Sequence, residues 1–493
     1  MAEESRGKKA DLESRRKEAP RKRMKKDTPR EKREADPKEK TAKSVRQLVL
    51  ESLMDINEEG TYSNEALRKM YQAYPDLPRA DRNLYTALVE GTLEHLLTLD
   101  HVLGQVSRTP VFKMDPLVRN LVRLGAYQIL YIRMMPDYAV CNESVELAKK
   151  NGFTSASGFV NGVLRNLVRK KKNKELTFPN PARDPEGYLS VAYSMPKWIV
   201  SQWLASYGFS DTRDLLKSLT REKPLCAWAN TTRFSTEEVE KELENDGVTV
   251  EKHPYIKDAF LMRHVSNLEH LSAFQKGMIY LQDTSSILAA SLGGVKQGDR
   301  VLDVCGAPGG KSLYLANQLE GTGEVVCRDL SQNKVSKIQE NIRRMGFKNI
   351  KAQKVDACEL RPEDIETADL VVADLPCSGL GVCGRKSDIR YRLKPGDFES
   401  LSTLQRRILE AVSQYVKPGG KLLLSTCTFS KKENEENRQW VLDNLPFTPV
   451  PIEGVPAPMQ KDTQSQGYLQ MFPQDAIYHD GFFLALFQRK ADA

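Results

Sequence analysis

Strand and helix patterns alternate from Lys276 to the end of the chain. Short apolar runs, such as VLDV at 301–304 and LVVAD at 370–374, are each followed by a segment with helical spacing. This alternation predicts a doubly wound, mostly parallel sheet. Ligands of such sheets bind at the carboxyl ends of the strands, so the residues that follow each strand are the first candidates for a site.

A glycine-rich turn from Gly306 to Lys311 follows the first of these strands. Glycine lets the main chain approach a ligand closely. The turn matches neither the G-x-G-x-x-G fingerprint nor the phosphate-loop spacing, which argues against a nicotinamide oxidoreductase and favours a nucleoside-type cofactor. Asp329, at the end of the next strand, is predicted to bind ribose hydroxyls, and Asp356, after the third strand, to lie near an adenine. A helix N-cap is the alternative role for each.

Two cysteines occupy equivalent positions at the ends of later strands. Cys377 follows Asp374-Leu375-Pro376, and Cys427 follows LLLST at 422–426. Pro376 cannot continue a strand ladder, so the chain turns outward there and exposes Cys377. Either thiol alone would be read as structural, but the pair beside a cofactor turn predicts nucleophilic catalysis. The chain has eight cysteines without a C-x-x-C pair and only six histidines, so no metal site is expected.

The remainder of the chain divides by pattern. Residues 45–172 show apolar residues at helical spacing, which predicts an all-helical domain. Residues 173–187, a polar stretch that holds three prolines, predict a linker, and residues 188–275 predict a small α+β module. Residues 276–493 then form the domain that carries the motifs.

The first 44 residues account for +7 of the formal net charge of +8 and show no apolar periodicity. We expect a disordered basic tail, either an arm for a polyanion or a solubilising segment only. The apolar stretches, such as FFLALF at 482–487, are too short to span a bilayer, and the start of the chain lacks a secretory signal. The expected location is therefore the cytoplasm.

Three motifs carry a resemblance to a known family. DVCGAPGGK at 303–311, DLPCSGLGV at 374–382 and STCTFSKKENEEN at 425–437 resemble the motifs of the NOL/NOP/Sun family of S-adenosylmethionine-dependent RNA cytosine-C5 methyltransferases. The likeness extends to LQDTSS at 281–286 and HDGFF at 479–483. The helical region, through DRNLYTALVEGTL at 81–93 and GFVNGVLRN at 158–166, resembles a NusB-type RNA-binding domain.

The resemblance implies a multidomain chain with an all-α NusB-like domain, a small α+β module of RRM-like type and an α/β Rossmann-like methyltransferase domain. The implied substrate is a cytosine of 16S ribosomal RNA, in an unassembled or early precursor, and the enzyme is expected to act as a monomer. Transfer RNA, or a non-catalytic role in assembly, remains an alternative. The implied cofactor is S-adenosylmethionine, held by Cys305, Gly306, Ala307, Pro308, Gly309, Gly310, Lys311, Asp329, Asp356 and Asp374.

The resemblance also assigns catalytic roles. Cytosine C5 is a poor nucleophile until a thiolate adds to C6, so the chemistry needs a nucleophile, a group that favours the adduct and a base for the exit step. Cys427 is the implied nucleophile, and Cys377 assists product release. Asp374 lies between cofactor and base, where it is placed to hydrogen-bond the pyrimidine. Lys311 is expected to lower a thiol pKa or to steady a carboxylate.

The chain departs from the family pattern in two places. Gly306 stands where the family usually has alanine, which is expected only to loosen the turn. GRKSDIRYR at 384–392 replaces a string that more often reads Arg-Arg/His-Pro-Asp-Ile-x-Trp. Basic side chains here are predicted to contact RNA phosphates, and Tyr391 to stack on a base in place of tryptophan; the alternative is a solvated loop. The predicted RNA contacts are Lys311, Arg385, Lys386, Arg390 and Tyr391.

Overall fold

The computed structural model describes residues 43–265, 267–475 and 479–491 of the chain. The predicted basic tail therefore lies, except for its last two residues, outside the described residues. Helices fill residues 45–172, as predicted, and each contributes side chains to one apolar core. Asp115 accepts a hydrogen bond from the Leu117 amide ahead of Pro116, a favourable helix start. The helices are α1 (Val45–Asn57), α2 (Ser63–Ala73), α3 (Arg79–Glu94), α4 (Leu96–Val106), α5 (Pro116–Tyr131), α6 (Asp137–Lys150) and α7 (Ser157–Lys172).

Two further helices, α8 (Pro185–Ala192) and α9 (Lys197–Leu219), follow this domain. Helix α9 is kinked at Gly208, where φ is 73°. Their apolar side chains pack on Leu380, Cys383, Phe398 and Phe429, which belong to the C-terminal part of the chain. Helices α8 and α9 thus support the motif-bearing domain, although the sequence placed most of them in the small α+β module.

The small module contains an antiparallel sheet with the strand order β2-β3-β1-β4. A capping box of Ser235 and Glu238 fixes the start of its first helix. The fourth strand lies beyond the predicted module end at residue 275, because a three-residue strand gives little alternation to read. The elements are β1 (Leu225–Ala229), α10 (Thr236–Asn245), β2 (Thr249–Lys252), β3 (Ala259–Arg263), α11 (Ser272–Gln275) and β4 (Ile279–Leu281).

A mixed sheet forms the centre of the C-terminal domain. Its described strands follow the order β10-β12-β9-β8-β5-β6-β7, with β11 paired to β12. The strands are β5 (Arg300–Asp303), β6 (Glu324–Asp329), β7 (Ile350–Lys354), β8 (Ala368–Asp374), β9 (Val416–Thr426), β10 (Phe447–Pro449), β11 (Tyr468–Met471) and β12 (Phe482–Arg489). The helices are α12 (Thr284–Leu292), α13 (Gly310–Gln318), α14 (Gln332–Met345), α15 (Ile389–Arg392), α16 (Asp397–Val412) and α17 (Glu435–Asn444).

Strands β5 to β9 run parallel, and β12 is antiparallel to β9, β10 and β11. The Rossmann-like prediction is therefore confirmed, with three C-terminal strands added, of which only β12 runs opposite to β5–β9. The strand order reverses beside β5, because β6 lies on one side of it and β8 on the other. Such a reversal opens a crevice at the carboxyl ends of the strands. Among the described residues, no helix is long and apolar enough to cross a membrane.

Candidate active site

The glycine-rich turn lies between β5 and α13, at the reversal of strand order. The Gly306 amide donates a hydrogen bond of 2.8 Å to the carbonyl of Arg328 in β6. Gly309 has a φ of 107°, a conformation that side-chain-bearing residues rarely adopt, and α13 begins directly after it. The turn therefore ends on the free amides of a helix N-terminus.

Glycine at position 306 does more than loosen this turn. A Cβ there would lie 2.5 Å from Cys327 Sγ and 2.7 Å from Asp303 Oδ2. Asp303 is buried and accepts a 2.6 Å hydrogen bond from Ser312 Oγ. Burial raises the pKa of Asp303 to about 7. The expectation of a merely looser turn is wrong, since the neighbours leave no room for a side chain.

The other predicted cofactor residues separate into two groups. Asp329 is buried at the end of β6 and accepts a 3.3 Å hydrogen bond from the Ala307 amide, so it lies at the turn. Cys305 is half-buried next to the turn. Asp356 follows β7 and accepts from the Cys358 amide at 2.9 Å. That bond is the local capping type that the sequence left open.

An ion pair joins the turn to the end of β8. Lys311 Nζ donates to Asp374 Oδ2 at 2.7 Å and to Ser286 Oγ at 2.9 Å, and it lies 4.8 Å from the centre of the Phe482 ring. Ser425 Oγ donates to the other oxygen of Asp374 at 2.8 Å. Lys311 was predicted either to lower the pKa of a thiol or to steady a carboxylate. This geometry favours the second role, because Lys311 is bonded to the Asp374 carboxylate.

A cavity of about 150 Å³ opens beside this ion pair. Sequence reasoning did not select Ser286, Phe482 or Asp303 as site residues. Ser286 and Phe482 lie in LQDTSS and HDGFF, two segments that resemble the family. That resemblance did not show that either side chain contacts Lys311. The cavity is lined by Tyr280, Leu281, Gln282, Ser286, Asp303, Gly306, Ala307, Pro308, Gly310, Lys311 and Asp374.

The two predicted catalytic thiols lie together at the ends of the adjacent strands β8 and β9. Cys377 Sγ is 3.3 Å from Cys427 Sγ, and the Cys427 amide donates to Cys377 Sγ at 3.3 Å. Both side chains are half-buried. The hydrogen bond to Cys427, together with burial, raises the pKa of the Cys377 thiol well above its usual range. The raised pKa favours the protonated Cys377 thiol, which lies within hydrogen-bond distance of the second sulfur.

The predicted RNA-contact string at 384–392 lies only partly inside the protein. Arg390 is 1% exposed and donates to the Cys383 carbonyl at 2.7 Å. The Tyr391 hydroxyl donates to the Leu93 carbonyl of the helical domain at 2.9 Å. Arg390 is therefore held inside the protein, whereas Tyr391 is half-buried with its hydroxyl bonded to the main chain.

Arg385 is also engaged, since its guanidinium donates to Asp480 at 2.9 Å and to Asp283 at 3.2 Å. Lys386 is exposed. It therefore stays the predicted phosphate contact that this geometry best suits.

Comparison with known proteins gives the chain a family. A family model described as 16S rRNA methyltransferase RsmB/F matches residues 291–488, the NusB family model matches residues 43–169, and the RsmF/B-like ferredoxin-like domain matches residues 195–269. A probable ribosomal RNA small subunit methyltransferase B of Bacillus subtilis is 33% identical over 451 residues, 91% of this chain and 99% of the relative. A protein of the same description from Synechocystis is 30% identical, over 90% of this chain and 98% of the relative.

Solved structures show the same architecture. The crystal structure of PH0851 has a TM-score of 0.76 at 25% identity, and the match covers 90% of this chain and 98% of that one. The structure of NSun6 from Pyrococcus horikoshii with SFG has a TM-score of 0.55 at 22% identity, over 60% of this chain and 98% of that one, and shows the fold alone.

The fold and the site together define an S-adenosylmethionine-dependent methyltransferase. Within that class, the chain belongs to the 16S rRNA methyltransferase RsmB/F family. The three-part architecture and the family resemblance inferred from the sequence are thereby confirmed. The residues present fit the cofactor. Asp303 Oδ1 is buried with no hydrogen-bond partner, and the carboxylates of Asp329 and Asp374 suit a ligand with ribose hydroxyls and a positive sulfonium.

Proposed function

We propose that this protein methylates C5 of a cytosine in 16S ribosomal RNA through a covalent bond between Cys427 and C6 of the base. The observation that carries the proposal is the pair of thiols 3.3 Å apart beside the Lys311–Asp374 ion pair. Family membership supports the same reaction class, since relatives that match nearly the whole chain are described as ribosomal RNA small subunit methyltransferase B.

The side chains divide the work of the reaction. When bound, S-adenosylmethionine supplies an electrophilic methyl group. Cys427 adds as a thiolate to C6, and this addition makes C5 a nucleophile. Each oxygen of Asp374 already accepts one hydrogen bond and retains a lone pair, which can accept from the exocyclic amine of cytosine. After transfer, a base takes the C5 proton, the C5–C6 double bond re-forms, and the carbon–sulfur bond breaks with its electron pair returning to the sulfur of Cys427.

Cys377 is suited to this last step. Its raised pKa keeps the thiol protonated, so it can donate a hydrogen bond to the sulfur of Cys427 as that sulfur leaves C6 as a thiolate. A charge-assisted hydrogen bond of this kind stabilises the departing anion. Cys377 thus favours elimination without itself bonding to the base.

The state of the RNA follows from the need of the target base to reach the two thiols. A cytosine inside a stacked helix cannot bring C5 and C6 to two strand-end thiols, so the base must be extruded or lie in an unpaired loop. We place the reaction on an unassembled or early precursor 16S RNA. The protein acts there as a cytoplasmic monomer.

The test compares cysteine variants. Purified protein is incubated with labelled S-adenosylmethionine and a 16S transcript, and bisulfite sequencing locates the modified cytosine. Cys427→Ala is expected to lose methyl transfer by more than about 10³-fold while it keeps its affinity for S-adenosylmethionine.

Cys358→Ala is the matched control, because Cys358 is a half-buried cysteine that follows another strand of the same sheet, β7 at its edge, away from the two thiols. It is expected to keep full activity. Full activity in Cys427→Ala, or methylation of transfer RNA in place of the 16S transcript, would refute the proposal.

A further inference from the structure

A buried carboxylate lies behind the two thiols. Glu433 is 0% exposed, between the end of β9 and α17. Its carboxylate accepts from the Ser378 amide at 2.9 Å, from Ser378 Oγ at 2.5 Å and from Gln405 Nε2 at 3.0 Å. A buried carboxylate with three donors is well satisfied, so its position is fixed by the groups that it binds.

The same contacts hold the main chain on both sides of Cys377. The Ser378 amide belongs to the peptide group that follows Cys377, and it donates its hydrogen bond to Glu433. The carbonyl of Pro376, which belongs to the preceding peptide group, accepts from Gln405 Nε2 at 2.8 Å. Because Gln405 and Glu433 are bonded to each other, both peptide groups are tied to one rigid pair.

A second link reaches the other thiol. Ser378 Oγ lies 2.6 Å from Thr428 Oγ1, and Thr428 directly follows Cys427. The Cys427 carbonyl accepts from the Gly381 amide of the Cys377 loop at 2.9 Å. A shift of Ser378 would therefore move one sulfur relative to the other.

We propose that Glu433 is a positioning residue that fixes Cys377 against Cys427 for the release step. The proposal rests on the proposed function, in which Cys427 bonds to the base and Cys377 assists release. Glu433→Gln keeps the size of the side chain but replaces one acceptor oxygen with an NH₂ group. With its oxygen on the side of the Ser378 amide and Gln405, its NH₂ group would face Ser378 Oγ, which must then accept instead of donate. The charge-assisted hydrogen bonds to a carboxylate become weaker neutral ones, so the segment after Cys377 is held less firmly.

The first readout measures the sulfur–sulfur geometry without RNA. Dibromobimane fluoresces when two nearby thiols displace its two bromides, and peptide mapping identifies the bridged pair. We expect the wild-type protein to bridge Cys377 and Cys427, and Glu433→Gln to do so about tenfold more slowly. Glu436→Gln is the matched control, because Glu436 lies three residues further along the chain but is exposed and is not bonded to this network, and its rate is expected to equal that of the wild type.

The second readout uses the RNA transcript. We expect Glu433→Gln to transfer the first methyl group at nearly the wild-type rate, to slow in later turnovers by about tenfold, and to accumulate a protein–RNA adduct that resists denaturant. A loss of general stability would lower both rates together and would leave no adduct.

A second variant keeps the test independent of folding. Ser378→Ala removes the hydroxyl link to Thr428 and preserves the amide bond to Glu433, and we expect bridging to slow by about fivefold. Wild-type bridging and turnover rates in either folded variant would overturn the proposal. Because bridging requires no methyl transfer, it reports on Glu433 even if Cys427→Ala proves active, which would refute the proposed function separately.

Discussion

Gly306→Ala tests how closely the cofactor turn is packed. The added Cβ would lie 2.5 Å from Cys327 Sγ and 2.7 Å from Asp303 Oδ2. Both neighbours are fully buried, so neither can move aside into solvent. The Gly306 amide is also bonded to the β6 main chain, which limits retreat of the turn. Overpacking at such a site costs about 1–3 kcal/mol, so we expect a clear fall in the unfolding temperature and in cofactor affinity.

A double-mutant cycle with Cys327→Ala isolates the cause. Removal of the sulfur takes away the 2.5 Å contact and leaves the contact with Asp303. We expect the cost of Gly306→Ala to fall by about 1 kcal/mol in the Cys327→Ala background. Thermal unfolding and titration with S-adenosylmethionine measure the four proteins.

Gly162→Ala is the matched control, since its Cβ would meet no atom within 4 Å in helix α7. It should stabilise the protein by about 0.5–1 kcal/mol. The packing argument fails if Gly306→Ala is as stable as the wild type, or if Cys327→Ala leaves its cost unchanged.

Three other residues give separate predictions. The pKa of Asp303 is about 7 in the folded protein against an ordinary 3.8, so its contribution to stability falls as the pH rises between those values. The free energy of unfolding of Asp303→Asn should therefore gain up to about 4 kcal/mol relative to the wild type as the pH rises from 4 to 8, as followed by thermal unfolding. Lys311→Met strips the partner from Asp374 and should slow methyl transfer by about 30-fold or more in a single-turnover assay, whereas Lys337→Met, at an exposed position of α14, should have little effect. Tyr391→Phe loses a hydroxyl bonded to main-chain carbonyls and should cost about 1 kcal/mol in thermal unfolding, with RNA affinity unchanged.

Each of these expectations has a contrary result. An Asp303→Asn protein whose advantage shrinks with rising pH would contradict the burial argument. Equal rates for Lys311→Met and the wild type would remove the ion pair from the mechanism. Unchanged thermal stability in Tyr391→Phe would contradict the role given to the hydroxyl and its bonds to the main-chain carbonyls.

The sequence predicted the strand-end residues well because their signals are local. An apolar run that stops at Asp374-Leu375-Pro376-Cys377 describes a strand and its exit in one segment. The same holds for Cys427 after LLLST. Parallel strands then place both thiols at the same edge of the sheet. The sequence could therefore predict that the thiols lie near each other, although not their distance of 3.3 Å.

Features that depend on distant contacts escaped the sequence. Lys311 meets Ser286 and Phe482, which come from separate parts of the chain and converge only in the folded domain. Arg390 was read as a phosphate contact because sequence shows its charge but not the carbonyl groups that surround it in the fold. The strands β4, β10 and β11 are three or four residues long, too short to show a period.

The covalent bond to Cys427 is the central claim, and mass spectrometry of a trapped adduct tests it most directly. Cys377→Ala protein is incubated with S-adenosylmethionine and the 16S transcript, denatured, and digested with nuclease and protease. The account predicts a methylated cytidine nucleotide attached to the peptide that contains Cys427. A digest with no nucleotide-bearing peptide, or one in which the nucleotide is attached to another residue, would contradict it.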